Sequence, residues 1–449
     1  MEIENSALMR EIEEIIRSTK KPVHFNWVAQ IHIGAEFHQA FRVISIDIER
    51  DYEKSFADQV MIKLMLPAGT YAKRIYPARS KLDIVLYRFP LNETGGGIDA
   101  EAAVQTQRYT AVMVDRGDPI VEANAMNTPT EESLNLSDMV TIDFQLIDKT
   151  VEQLRGASVG GIYRSVSAED VIKTLLVGAS QALTTETVQR PRGVDMVEPN
   201  NKTVRTHIVV PHGLKLVELP GHIQQKCGGV YSTGLGYYLQ DNYWYVYPCY
   251  NTKRLNQSVK TLTLINVPSN KFPSIERTYR VDGNNVVALV TGQVSFRDES
   301  DARQLTEGNG VRFSDADKFM DSFAELGENK VVVSRGTSTT EVISAARANG
   351  NNNVHLSPNA ITANPYAQYS EMAKRNGAVL SMVWESSLQS AVFPGMLVKI
   401  MYLDSGEIKT NVGVVLKAHH YIHTRGVGMT SNRHYSNTML SVFVERSPS

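Results

Sequence analysis

From Val23 to Ile147 apolar and polar residues alternate with a period of two. Ile44, Ile46 and Ile48 interleave with Ser45, Asp47 and Glu49. Further rows are Val60, Ile62, Leu64 and Leu66; Leu82, Ile84 and Leu86; Tyr109, Ala111 and Met113; and Val140, Ile142, Phe144 and Leu146. Each row predicts a strand with one buried and one wetter face, the pattern of antiparallel sheet. Breakers at Pro67–Gly69, Pro77 and Gly95–Gly97 separate the rows, so the segment predicts a β-sandwich or barrel. The same period returns near the C-terminus. Val379, Ser381 and Val383 alternate with Leu380, Met382 and Trp384, and Pro394-Gly395 turns the chain into Met396, Val398, Ile400 and Tyr402. Val412, Val414 and Leu416 follow, then Met439, Ser441 and Phe443, which predicts a second all-β unit.

Helical spacing appears elsewhere. Residues 6–19 predict an amphipathic helix with Leu8, Ile12, Ile15 and Ile16 on one face, too short to stand alone. Ser167 with Asp170 predicts a capping box ahead of Val171, Ile172, Leu175 and Leu176. Residues 184–206 are polar, contain Arg190-Pro191-Arg192-Gly193, and read as a connector. A helix is expected over roughly 214–227 before Gly228-Gly229, and another over 315–326, capped by Ser314 with Phe319, Phe323 and Leu326 as its stripe. Residues 349–364 hold six asparagines and no apolar period, the mark of a polar loop or insertion. The expected organisation is mainly β with some α. An N-terminal helix (1–21) precedes a first tube-type β-barrel or sandwich (22–150) and a helical connector (151–206). A mixed region with an aromatic hairpin (207–300), a helix with the polar insertion (301–375) and a second barrel (376–449) complete it.

Composition narrows the chemistry. The 449 residues carry 46 basic and 48 acidic side chains, a net charge of −2, which is no polyanion-binding composition overall. Cys227 and Cys249 are too few for a disulfide framework or a four-thiolate zinc site and read as buried small side chains. No apolar run is long enough for a membrane-spanning helix, and the glutamate-rich start does not suit a signal peptide. The expectation is a soluble protein folding in a reducing compartment. No Walker loop, no G-x-G-x-x-G opening a helix and no H-E-x-x-H occurs, and no G-x-S-x-G nucleophile elbow is expected. His419-His420-x-x-His423 with His434 is the one cluster of metal-ligand type. On a strand, His420 and Ile422 would share one face and His419 and Tyr421 the other, and a metal would need His420, His423 and a remote carboxylate. A solvated strand end explains the same residues. The carboxylate pairs Glu131/Glu132 and Asp298/Glu299 read as surface charge. No catalytic residue, metal site or cofactor is assigned.

Residues 231–250 are the most unusual stretch, with seven of the 19 tyrosines and Trp244. Leu235–Leu239 and Tyr243–Tyr247 read as two strands joined by Gln240-Asp241-Asn242. Tyr243, Tyr245 and Tyr247 would share one face, with Trp244 and Val246 on the other. That hairpin is either a stacking platform for bases or sugars, or an element buried on both sides.

Four stretches carry a family resemblance. They are Val43–Glu49 with Ser55–Val60, Ser167–Ile172 leading into Leu175-Leu176, Gly229–Gly234 with Asp241–Pro248, and Pro394–Val398 with Gly413–Val415. In their order and spacing the chain resembles the baseplate-hub family of long-tailed, contractile bacteriophages, whose tube-like barrels also occur in type VI secretion spikes. The resemblance implies a structural virion protein of the phage tail baseplate, assembled in the host cytoplasm and serving host-envelope penetration. It implies a homotrimeric ring adapting a sixfold tail tube to a threefold central spike. Tube, spike, baseplate wedge and tape-measure proteins would be its partners, and genomic DNA would pass through the lumen without sequence-specific contact. Ser45, Asp47 and Glu49 would suit a polar, channel-lining inner face. Three other readings stand beside it. One is a tail-tube-like or tail-tip ring, and another a carbohydrate- or nucleic-acid-binding β protein using Tyr243, Trp244, Tyr245 and Tyr247. The third is a hydrolase using the histidine cluster.

Overall fold

The structure, a computed structural model, describes residues 10, 12–17, 25–91, 104–114, 139–184, 190–257, 260–273, 277–298, 310–315, 339–344, 365–375, 377–404, 407–424 and 433–445. The first strands are β1 (Phe25–Ile33), β2 (Glu36–Gln39), β3 (Arg42–Asp51), β4 (Gln59–Pro67), β5 (Leu82–Pro90), β6 (Gln105–Met113) and β7 (Met139–Asp148). The middle of the chain supplies β8 (Ser158–Val166), β9 (Gly193–Met196), β10 (Arg205–Lys215), β11 (Leu235–Gln240) and β12 (Tyr243–Pro248). Then come β13 (Thr261–Asn266), β14 (Tyr279–Asp282), β15 (Asn285–Asp298), β16 (Gly310–Asp315) and β17 (Thr339–Ser344). The last four are β18 (Gly377–Trp384), β19 (Leu397–Asp404), β20 (Glu407–Thr424) and β21 (His434–Glu445). The protein is mainly β, as its alternation predicts.

The pairings close two rings. One runs β20-β3-β4-β7-β6-β5-β1-β21 and back to β20, its β1–β21 link resting on the single pair Phe25–His434. The other runs β20-β19-β13-β15-β18-β21 and back to β20, with parallel pairing at β13–β19 and β13–β15. Both rings share the long antiparallel pair β20–β21. Along β20, Leu397–Asp404 is the neighbour up to Val414, and Asp51–Ser45 takes over from Lys417. The two barrels therefore stand end to end on one hairpin.

Alternation decides what fills them. Ile46, Ile62, Leu64, Ile84, Phe144, Leu146 and Ile422 pack inside the first barrel. Leu262, Leu264, Ala288, Leu380, Met382, Trp384, Val398 and Val442 pack inside the second. A register shift between Val415 and Lys417 inserts one extra residue, so Val415 points inward before it and Ala418, His420 and Ile422 after it. A similar shift between Val43 and Ser45 buries Val43 and Ile46 and leaves Ile44 only half-buried, which the plain alternation of Ile44, Ile46 and Ile48 does not anticipate.

Several expectations change. The second barrel draws β13 and β15 from residues 261–298, the described part of residues 377–445 supplying four strands. The 184–206 connector contains β9, which pairs in parallel with β12. Lys215 ends β10, so the helix expected over 214–227 is Leu219–Lys226, with Pro220 in its first turn, where a missing N–H costs nothing. Ser314 lies in β16, which pairs with β17, rather than capping a helix. The rest of 315–326, the asparagine-rich 349–364, Leu8, Glu131, Glu132 and Glu299 lie outside the described residues.

The capping box at Ser167 forms as read, opening the helix Ala168–Gln181. Val171, Ile172 and Leu176 of that helix join Ile208, Leu219, Ile223 and Trp244 in a third core beside the barrels. The N-terminal helix docks on this chain: Ile15 packs against Ile265, Val287 and Leu289, and Glu14 pairs with Arg280.

Gly395, at φ +67, lies where an added Cβ would come within 2.4 Å of the Tyr247 ring. Gly34 has a similar φ of +62 but open space around it. Gly34→Ala is expected to cost about 1–2 kcal/mol of backbone strain. Gly395→Ala should cost about 1–3 kcal/mol more through overpacking. Chemical denaturation of both variants measures the difference, and equal losses would show that Tyr247 gives way freely.

Candidate functional site at the barrel junction and shared outer face

Where the two barrels meet, their apolar interiors are separated by a polar layer. Arg50, near the end of β3, is buried there. Its Nε donates to Asp58 Oδ2 at 3.1 Å and its Nη1 lies 3.4 Å from His420 Nε2. Tyr238 donates to Asp58 Oδ1 at 2.9 Å, and Tyr52 donates to Gln240 Oε1 at 3.1 Å. Gln240 in turn donates to the Val392 carbonyl, and the Tyr247 hydroxyl to that of Tyr52. Burial works against the charge on Arg50, but Asp58 and the surrounding acidic groups outweigh it and hold the guanidinium protonated.

His420 completes the layer from β20. Arginine can only donate, so Nε2 accepts and the proton sits on Nδ1, which donates to Thr438 Oγ1 at 2.7 Å. Burial, then the charge of Arg50, pushes the His420 pKa well below the usual value. The histidine cluster is thereby divided. His420 and Ile422 share one face, as a strand predicts, but that face is the buried one, so the reading as a solvated strand end fails for His420, while His419 on the opposite face pairs with Asp47 and Tyr421 is exposed. A carbonyl can only accept, so His434 Nε2 donates to that of Val43, 3.1 Å away. No group of three or more metal-ligating side chains occurs among the described residues.

The tyrosine-rich hairpin forms with the predicted turn, Asp241 and Asn242 both having positive φ. Its two faces are divided between cores. Tyr238 and Tyr247 enter the second barrel's cluster, while Trp244, Val246 and Leu239 enter the third core. Trp244 Nε1 donates to Ser180 Oγ at 3.1 Å, and Tyr231 donates to the Val197 carbonyl. Of the four stacking candidates only Tyr243 is substantially exposed, and Tyr245 is half-buried, so no row of stacking rings is presented. Cys249 is buried in the second barrel's cluster and Cys227 is half-buried.

Against the expectation of no nucleophile elbow, Gly156-Ala157-Ser158-Val159-Gly160 has its G-x-S-x-G spacing. Here it runs from the end of the helix Lys149–Gly156 into β8, the reverse of the strand-to-helix turn that presents a nucleophile.

The outward faces of both barrels join into one strip. Register carries a row from Val383 through Met439, His419 and Glu49 to Gln59, and another from Asn437 through Tyr421, Asp47 and Met61 to Gln145. Ser381, Ser441, Lys417 and Asp51 make a third. Ion pairs balance the strip: Lys417 with Asp51 at 2.5 Å, Lys63 with Asp143 at 3.8 Å, and His419 with Asp47. Ser45, Asp47 and Glu49 thus face outward. The polar channel-lining inner face is corrected here, because the eight-stranded ring is filled by its own side chains.

No family model matches the chain, and no curated protein matches it. Among solved structures it is similar to the 43 kDa tail protein of prophage MuSo2 from Shewanella oneidensis, with 10% identity and a TM-score of 0.45, over 92% of this chain and 98% of that one. It is also similar to an E. coli protein described as a component of the type VI secretion system, with 9% identity and a TM-score of 0.39, over 96% of this chain and 76% of that one. A chain of the phage P2 baseplate in its activated conformation gives 8% identity and a TM-score of 0.31, over 92% and 98%. These three are phage tail and secretion-system proteins. No helix among the described residues is long and apolar enough to cross a membrane.

Removing Arg50 leaves Asp58 uncompensated, so Arg50→Met is expected to cost about 3–5 kcal/mol, partly recovered by adding Asp58→Leu. A double-mutant cycle in denaturant measures the recovery. The depressed His420 pKa sets a pH dependence. Below about 6.5 the unfolded chain binds a proton that folded His420 refuses, so stability falls as pH drops, by up to about 1.4 kcal/mol per unit. The raised His419 pKa, caused first by its bond to Asp47, acts with opposite sign, adding stability at low pH that is lost as pH rises through the folded value. His420→Gln should flatten the acid-side loss seen in urea titrations between about pH 7 and pH 5, and an unchanged slope would place the loss elsewhere.

Proposed function

We propose that the chain is a structural, non-enzymatic component of a phage-tail-type assembly, a baseplate hub that closes into a ring of three. The carrying observation is the pair of barrels stacked on one shared hairpin with a single polar strip along their outer sides. Three such chains would place six barrels around an axis, which suits a threefold spike below a sixfold tube. The strip's paired charges suit a lumen through which DNA slides without being held. The apolar cores that fill both barrels support a scaffold rather than a substrate-binding role. Tube, spike, wedge and tape-measure proteins are the partners this reading names, and the virion tail is its location.

Native mass and negative-stain images test the proposal. A ring of about 150 kDa, three times the 49.9 kDa chain, with a central hole is expected. A sixfold ring would replace the hub with a tail-tube or tail-tip component. Glu49→Lys with Asp47→Lys should leave the ring intact and make it retain DNA in a filter-binding assay. A ring broken by those two changes would place the strip at a subunit contact instead of the lumen.

A further inference from the structure

The strands β8 and β10 form a ribbon of their own, paired with nothing else among the described residues. Its inward face carries Ile208 and Val210, buried in the third core. Its outward face carries the cross-strand pairs Val209–Ile162 and His207–Arg164. Ile162 is 65% exposed, Val209 55% and neighbouring Val204 64%, a concentration of large exposed aliphatics on one small element.

Beside the ribbon, between β10 and the helix Leu219–Lys226, lies a groove of about 340 Å³. Arg205, His207, Val209, His222, Lys226 and Cys227 line it, and among the described residues no acidic side chain does. Gly228, at φ +98, leaves room for the Arg205 guanidinium, which would lie 2.0 Å from any Cβ there. On a chain of net charge −2 this is a local concentration of basic groups, with no counter-charge among the described residues of its walls. The groove also follows the edge of β10 that pairs with no strand among the described residues. The Cys227 thiol lies 3.6 Å from the Val209 carbonyl, so the peptide groups of Val209, and by alternation those of His207 and Arg205, point away from β8 into the groove.

We propose that this groove is a docking site for an extended acidic segment of a partner protein, taken up as a third strand on β10. Backbone pairing along the edge would supply affinity and alternate side chains specificity, one face of the added strand presenting carboxylates to the row of Arg205 and His207 and to Lys226, the other presenting apolar groups. A free strand edge with exposed aliphatics favours a peptide over nucleic acid, which would use a longer basic track.

Fluorescence anisotropy with a labelled peptide alternating glutamate and valine tests it on the full chain. Saturable binding is expected, weakening with salt and falling at least about 10-fold for Lys226→Glu. Arg205→Glu should act likewise, with circular dichroism confirming its fold. A proline at the peptide's centre should also abolish binding, since it removes a ladder donor. Equal binding of a lysine-for-glutamate peptide, or no effect of Lys226→Glu, would overturn the proposal. So would tighter binding of an oligothymidylate, which would assign the groove to nucleic acid, or loss of self-association in Lys226→Glu, which would assign it to a second copy.

Discussion

The shared hairpin β20–β21 is the constraint on which the rest depends. A strand can have only two neighbours at any point along its length, so β20 serves two barrels only by exchanging one neighbour for another. The exchange happens around Leu416, where the extra residue keeps inward side chains inward on both sides of the change. At that level neither barrel has a complete apolar wall. Arg50 lies there, and its buried guanidinium is offset by the Asp58 carboxylate and by the His420 ring nitrogen that accepts from it. Asp58 is held in turn by Tyr238.

The same layer explains the tyrosines. A tyrosine offers a large apolar ring and a hydroxyl that must find a partner when buried. The hairpin β11–β12 lies where one side meets the second barrel and the other meets the third core, and the hydroxyls of this tyrosine-rich stretch reach acceptors in neighbouring segments. Tyr238 reaches Asp58, Tyr247 the Tyr52 carbonyl and Tyr231 the Val197 carbonyl. Aliphatic residues would fill the volume but would leave those acceptors without donors. The hairpin is a brace between modules, and its aromatic content serves that junction.

Histidine shows how burial assigns roles to adjacent residues of one kind. His419 and His420 are neighbours on β20, yet one faces outward beside Asp47 and the other faces the junction beside Arg50. Their pKa values move in opposite directions for that reason alone.

Local pattern determined much of this protein. The alternation in residues 44–146 marked the strands, Ser167 with Asp170 marked a helix start, and Asp241-Asn242 marked a turn, because each depends on neighbours a few residues away. That His420 and Ile422 share one face followed from strand period alone, but that this face is the inward one did not. Closure of the barrels did not. That β13 and β15 join β18–β21, or that β3 lies against β20, depends on pairings between residues far apart in the chain, which leave no periodic trace. The two bulges were equally hidden, since an inserted residue is marked only by which side chains the tertiary packing then buries. For the same reason Arg50, Asp58 and His420 read as unrelated charges in the chain and become one network only when the fold brings them together.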